Sequence, residues 1–164
     1  MSTVLRPLLP EAFGAYMQAS IASYAQENVE AGRWPAEGAL ERSHADFLAL
    51  LPQGLATPDH HLLEVLATPE GPVVGHLWLA LERRHGGCSA FVYNVEIAPE
   101  HRRQGHARRA FEAAEALAAE LGATSIGLHV FAHNPGAQAL YESLGYQVTG
   151  INMKKGLLTA PSGA

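Results

Sequence analysis

The feature that most constrains this chain is a basic turn, Arg102-Arg103-Gln104-Gly105-His106-Ala107, between an apolar run and an alanine-rich segment. Residues 91–97, closed by Ala98-Pro99, indicate a strand, and residues 105–121 indicate a helix. Free N–H groups and the macrodipole at a helix N-terminus favour a negative charge. Gly105 would let the backbone approach a ligand closely. The pattern therefore predicts a strand, a tight turn and a helix that together form an anion site suited to a pyrophosphate.

The composition bounds the class of protein. At 164 residues, 48% hydrophobic and 16% charged, the chain is predicted to be one folded domain over residues 1–164. Its net charge of -5 argues against nucleic acid as the main partner. Cys88 is the only cysteine, which excludes an internal disulfide and a cysteine-based metal cluster.

Membrane insertion and secretion are not expected. No apolar run is long enough to span a bilayer, and the sequence from Met1 to Pro7 lacks a basic segment followed by an apolar stretch. A cytoplasmic location is the resulting expectation.

The periodicity predicts an α+β chain in the order β-α-α-β-β-β-α-β-α-β. Hairpins in the middle of the chain imply antiparallel strands, and the helical crossover implies one parallel pair. We therefore expect a mixed, mostly antiparallel central sheet with helices on both faces. Helices are predicted over residues 10–32, 36–51, 105–121 and 135–144, and strands over residues 3–8, 61–67, 73–81, 89–97, 124–131 and 146–153.

Two motifs in order carry a family resemblance. The turn 102–107 fits the pattern Arg or Gln, two residues, Gly, one residue, then Gly or Ala, with Ala107 in the last place. Downstream stand Asn134, Ala137, the run 139–142 (Ala-Leu-Tyr-Glu) and Gly145-Tyr146. From Phe91 to about Lys154 the chain resembles the GNAT superfamily of acyl-CoA-dependent N-acetyltransferases.

The resemblance implies a V-shaped gap between the strand of Val95 and the strand of His129. Acetyl-CoA would lie in this gap, with its pantetheine arm along the strand edge at residues 95–97 and its pyrophosphate on the N–H groups of residues 103–108. Asn134 would touch the pantetheine or hold its loop, and the His106 side chain would support phosphate contact or be exposed. The residues implied to bind acetyl-CoA are Val95, Ile97, Arg102, Arg103, Gln104, Gly105, His106, Ala107, Arg108, Asn134, Ala137 and Tyr141.

Acetyl transfer to an amine needs a proton acceptor for the amine and a proton donor for the leaving thiolate. The resemblance places Tyr141 near the thioester sulfur as the acid, although a core aromatic is the alternative. Glu96 is the candidate base, or the holder of a water that acts as base, and an ion-paired surface carboxylate is its alternative. His129 and His133 are alternative bases, because histidine titrates near neutrality.

Period-two alternation puts Asn94 and Glu96 on one face of their strand and Tyr93, Val95 and Ile97 on the other. Sequence alone leaves open which face lines the acceptor cleft, so Tyr93 and Asn94 are both acceptor-site candidates. Trp34 would rim the acceptor pocket or fill the core. Acidic residues in the first helix pair form a solvated face or attract a cationic acceptor; they are Glu27, Glu30, Glu37, Glu41 and Asp46.

Metal and covalent mechanisms are not predicted. The nine histidines show no recognisable ligand spacing, so no metal is expected. Cys88 lacks a nucleophile signature, which argues against an acyl-enzyme. A dinucleotide-dependent oxidoreductase is excluded because its glycine fingerprint is absent.

The resulting hypothesis is an N-acetyltransferase that uses acetyl-CoA and direct attack by a primary amine in a ternary complex. A small molecule is favoured as the acceptor, and its identity stays open. The alternative is a catalytically silent acyl-CoA-binding sensor or interaction module. No nucleic acid or membrane partner is expected, and a homodimer is a candidate assembly.

Overall fold

A five-stranded sheet organises the molecule, whose computed structural model describes residues 3–131 and 134–158. The strands follow the chain order across the sheet. The first four pair antiparallel, and the last pair is parallel because a helix crosses over between its strands. The strands are β1 (Val4–Pro7), β2 (His60–Leu66), β3 (Val73–Arg84), β4 (Gly87–Ile97) and β5 (Ile126–Leu128).

Four α-helices lie at the places where the sequence predicts them: α1 (Pro10–Glu30), α2 (Ala39–Leu50), α3 (His106–Glu120) and α4 (Pro135–Ser143). Gly32 takes the left-handed conformation just after α1, with φ 74°. Asn134 caps α4, since its side chain accepts a hydrogen bond from the Ala137 N–H at 3.3 Å. Within the described residues, no helix is long and apolar enough to cross a bilayer.

The helices cover both faces of the sheet, as predicted. On one face, α1 and α2 pack on β2 and β3, with Phe47 and Trp78 at the centre of the contact. On the other face, Ala110, Phe111 and Ala114 of α3 are fully buried against the sheet. Small side chains at Ala110 and Ala114 let α3 lie close to the strands. The mixed α+β architecture is therefore confirmed.

Two predicted strands differ from the structure. Residues 146–153 form no strand, and Ile151 and Met153 are 77% and 91% exposed. The apolar alternation of this segment breaks at Gly150, and Lys154 donates a hydrogen bond to the Gly32 carbonyl at 2.7 Å, which draws the chain towards the end of α1. The strand expected over residues 124–131 is limited to β5, because β4 diverges from it beyond Val92.

Candidate active site

A β-bulge in β4 opens the sheet. Trp78 of β3 pairs with Asn94, whereas the next residue, Leu79, pairs with Val92, so Tyr93 is the extra residue. The parallel pairing of β4 with β5 ends at the same point, since it covers only residues 90–92 and 126–128. Beyond Val92, the β5-facing edge of β4 has no strand partner among the described residues. This edge, at Val95 and Ile97, is where the family resemblance would place a pantetheine arm.

The bulge also corrects the predicted faces of β4. Asn94 and Glu96 share one face, as expected, and Val95 and Ile97 pack with the α3-side core on the other. Tyr93 was predicted to lie with Val95, but its ring stacks on Trp78 at 4.9 Å, on the α1 face. An extra residue places two consecutive side chains on the same face, so the alternation rule fails there.

The basic turn has the geometry expected of an anion site. Arg103 and Gly105 are both left-handed, with φ 62° and 81°, and α3 begins at His106. Gly105, as the residue before the helix, offers no side-chain cap to the first N–H groups of α3. The Arg102 side chain donates to the Ile97 carbonyl at 2.8 Å, which fixes the turn to the end of β4.

A pocket of about 240 Å³ lies at this turn. It joins the end of β4 to the first turn of α3 and to α4, through Ile97, Ala107 and Leu140. The predicted residues Arg102, Arg103, Gly105, His106 and Arg108 line the same pocket. Backbone donors, basic side chains and apolar walls therefore meet in one place.

His106 lines this pocket, but its side chain is buried. It is 7% exposed, and its Nδ1 lies 3.1 Å from the hydroxyl of Thr3 in the segment that leads into β1. The same hydroxyl accepts a hydrogen bond from Arg109 Nε at 2.8 Å. Of the two expectations for His106, exposure is wrong, because the ring is buried and hydrogen-bonded to Thr3, 103 positions away in the sequence. Support of phosphate contact stays a prediction. The backbone N–H of His106 stays at the start of α3.

Tyr141 lies in α4, with its ring against the α3-side core. The ring contacts Phe111 at 5.1 Å and Tyr146 at 6.1 Å. Burial raises the pKa of Tyr141, and the carboxylate of Glu27 raises it further. The phenol is therefore protonated at neutral pH, which is the state a proton donor needs. Both the core-aromatic and the acid interpretations are compatible with this placement.

Helices α3 and α4 are joined beside the pocket. Arg108 donates a hydrogen bond to the Ser143 hydroxyl at 2.6 Å, and that hydroxyl donates to the Leu140 carbonyl. The guanidinium of Arg108 thus connects the predicted phosphate turn with the helix that carries Tyr141.

A polar group on the α1 face was largely missed by the sequence analysis. Asn94 donates its amide to the hydroxyls of Tyr16 and Ser20, at 3.3 and 3.5 Å. The ring of Tyr16 also lies 5.1 Å from that of His76, the register partner of Glu96. Burial raises the pKa of Tyr16, and Glu96 raises it as well. Glu96, exposed itself, therefore belongs to a cluster with Tyr16 and His76.

The remaining candidates lie nearer the end of α1. His129 contacts the ring of Phe131 at 4.9 Å, and burial lowers the pKa of His129, with Arg33 acting in the same direction. Trp34 is half-buried and meets Tyr24 edge-on at 5.5 Å. His133 lies outside the described residues. No group of three metal-ligating side chains occurs within residues 3–131 and 134–158.

An open sheet edge beside a basic helix N-terminus is an arrangement that can accept an extended, phosphate-bearing ligand. The sequence model of the acetyltransferase (GNAT) family matches residues 23–146, and the chain belongs to this family.

Relatives in Bacillus subtilis match over nearly their whole length. The uncharacterized N-acetyltransferase YycN is 40% identical over 157 residues, which cover 96% of this chain and 100% of YycN. The uncharacterized N-acetyltransferase YdgE is 32% identical, with 96% of this chain and 99% of YdgE covered. The crystal structure of YycN superposes with a TM-score of 0.90 at 38% identity, covering 96% of this chain and all of that chain.

Proposed function

We propose that this protein transfers the acetyl group of acetyl-CoA to a primary amine by direct attack in a ternary complex. The observation that carries the proposal is the continuity of the open β4 edge with the uncapped N-terminus of α3 at Gly105. An extended arm bound along residues 95–97 delivers a pyrophosphate to the N–H groups of residues 103–108. The pocket at this turn and its basic side chains support the placement.

The donor side is formed by three elements in this proposal. Val95 and Ile97 offer backbone groups to the pantetheine arm, and the turn from Arg102 to Arg108 holds the phosphates. Asn134 and Ala137 form the first turn of α4 and border the arm. The Tyr141 phenol, protonated because burial raises its pKa, donates its proton to the leaving thiolate.

The acceptor approaches from the α1 face. Glu96 lies on this face of β4, with Tyr16 and Asn94 beside it. Its carboxylate attracts a cationic amine and removes a proton from it, directly or through a water. The free amine then attacks the acetyl carbonyl carbon. A small amine-bearing molecule is the proposed class of acceptor.

Calorimetry with acetyl-CoA, followed by free-thiol release against a panel of amines, tests this proposal. We expect micromolar binding and thiol release with one class of amine. Binding without release from any amine would favour the acyl-CoA sensor. Absence of binding would refute the assignment of residues 102–107 as the pyrophosphate site.

A further inference from the structure

Four polar side chains form a row across the α1 face of the sheet. Strand pairing places Arg6 opposite Glu64, Glu64 opposite His76, and His76 opposite Glu96. Side chains directly opposite on antiparallel strands have Cβ atoms about 4.5–5.5 Å apart. The row therefore leads from β1 to Glu96, the base of the proposed reaction.

The end of the row formed by Arg6 and Glu64 is fixed by hydrogen bonds. Arg6 donates two hydrogen bonds to one oxygen of Glu64, at 2.9 and 3.2 Å. Glu64 is only 5% exposed, and its ion pair with Arg6 at 2.9 Å offsets the cost of burying a carboxylate. The charge faces His76 from the next strand.

His76 is enclosed from three sides. Glu64 of β2 and Glu96 of β4 flank it, and the ring of Tyr16 from α1 covers it at a centroid distance of 5.1 Å. Within the described residues, neither nitrogen of the imidazole forms a hydrogen bond. The ring is therefore held in place by packing, with a ring nitrogen free to take up a proton.

We propose that His76 takes over the proton that Glu96 removes from the acceptor ammonium, with Glu64 stabilising the imidazolium that results. This inference rests on the proposed acetyl transfer. His76 does not touch the substrate, so it is a positioning residue that acts through Glu96. Its effect is to return Glu96 to the carboxylate form while the acceptor is still bound.

The protons balance in this scheme. The acceptor ammonium loses one proton to Glu96, which passes it to His76. The amine nitrogen then forms a bond to the acetyl carbon, and the carbon–sulfur bond breaks. Tyr141 protonates the leaving thiolate and regains a proton from the attacking nitrogen. His76 releases its proton to solvent, so that one proton is set free per turnover.

The electrostatics of the row suit this role. Burial lowers the pKa of His76, whereas Glu64 and Glu96 act in the opposite direction. The imidazole is therefore neutral at neutral pH and ready to accept a proton. Protonation places a positive charge between two carboxylates.

His76→Gln tests the inference, because glutamine keeps polarity and bulk but does not titrate near neutrality. We expect kcat/KM at pH 7 to fall about tenfold, as for loss of a modest acid–base contribution, with the loss recovered at high pH. His61→Gln is the matched control, since His61 of β2 points to the opposite face of the sheet, with Leu63. If the wild type is active and His76→Gln has the same rate and pH profile, this inference is wrong and the proposed acetyl transfer still stands.

Glu64→Gln gives a directional test. Removing this charge lowers the pKa of His76, so the acidic limb of kcat/KM should shift to lower pH. NMR titration of labelled histidine, assigned with His76→Gln, measures the same shift without substrate. An unshifted His76 titration in both Glu64→Gln and Glu96→Gln would overturn the row irrespective of turnover. A wild type that binds no acetyl-CoA and acetylates no amine would overturn the proposed function and this inference together.

Discussion

Asn94 of β4 donates its side-chain amide to the hydroxyl of Tyr16 in α1, across 3.3 Å. The bond joins the residue that follows the bulge to the helix that covers the acceptor face. Since Tyr16 is buried and also contacts His76, the contact holds α1 in register with the proposed acid–base groups. The proposed acceptor side of the site therefore depends on a contact between two residues 78 positions apart in the sequence.

Replacing Asn94 should separate acceptor binding from donor binding. Asn94→Ala removes the hydrogen bonds to Tyr16 and Ser20, and should lower the free energy of unfolding by about 1–2 kcal/mol. Urea denaturation measures that loss, and steady-state kinetics should show a higher KM for the acceptor. The affinity of Asn94→Ala for acetyl-CoA should be unchanged. The control is Asn152→Ala, at an exposed position, which should match the wild type in stability, KM and acetyl-CoA affinity. Weaker acetyl-CoA binding in Asn94→Ala would mean that this residue serves the donor side.

Gly105 should be essential to donor binding. Gly105→Asp brings a negative charge to the phosphate turn, and a Cβ at this position would lie 2.7 Å from Arg109 Nη1. We expect acetyl-CoA affinity to fall at least tenfold by calorimetry. Gly122→Asp is the control, because Gly122 is also left-handed, with φ 100°, and a Cβ added there would meet open space. Equal losses of affinity in the two variants would assign the effect to backbone strain.

Tyr141→Phe should reduce turnover and leave donor affinity intact. The ring contact with Phe111 is kept, and only the proton donor is lost, so kcat should fall by about 10–100-fold. Tyr146→Phe is the control, because it also removes one phenolic hydroxyl, which donates to Glu115 at 2.9 Å. Its kcat should match that of the wild type. An undiminished kcat in Tyr141→Phe would leave this ring with a packing role alone.

Stability should decrease in mild acid. Trp78 donates its indole N–H to His60 Nδ1 at 3.0 Å, which requires an unprotonated nitrogen, and burial lowers the pKa of His60. A histidine with a lowered folded-state pKa stabilises the fold above its unfolded pKa of about 6.5 and loses this contribution as the pH falls. Urea unfolding followed by tryptophan fluorescence, at pH 7.5 and 5.5, should show the loss.

His60→Asn provides the comparison for this pH effect. The asparagine oxygen can accept the indole hydrogen bond but does not titrate, so the stability of the variant should vary less between the two pH values. A variant with the same pH dependence as the wild type would assign the effect to other histidines. His76, His106 and His129 have pKa values shifted in the same direction by burial.

Local patterns predicted most of the fold and the geometry of the basic turn. The turn at residues 102–107 and the cap at Asn134 depend on neighbouring residues, so sequence spacing was sufficient for them. Tyr93 was placed on the wrong face because a bulge shifts the phase of the alternation without changing composition. The burial of His106 depends on Thr3, whose contact no local pattern encodes.

The arrangement of the proposed acceptor side could be predicted only with knowledge of the strand register. Glu64 and His76 flank the hairpin loop at residues 68–72 at positions that an exact pairing brings opposite one another. The sequence indicates only that a histidine and a glutamate lie on adjacent predicted strands, not that they face each other. Their pairing also depends on the irregularity between Val65 and Leu66, which shifts the register near the loop. Side-chain type alone therefore did not identify the row.

The bulge in β4 comes from one extra residue, Tyr93, and the pairing of β4 with β5 ends beside it. Removing this single residue would keep Val92, Val95 and Ile97 on one face and Asn94 and Glu96 on the other, because their alternation is otherwise regular. Substitutions elsewhere in β4 adjust side chains around the gap, whereas one deletion would allow β4 to run on beside β5 and close it. The length of this strand, and not only its side chains, therefore sets whether the β4 edge stays open beyond Val92.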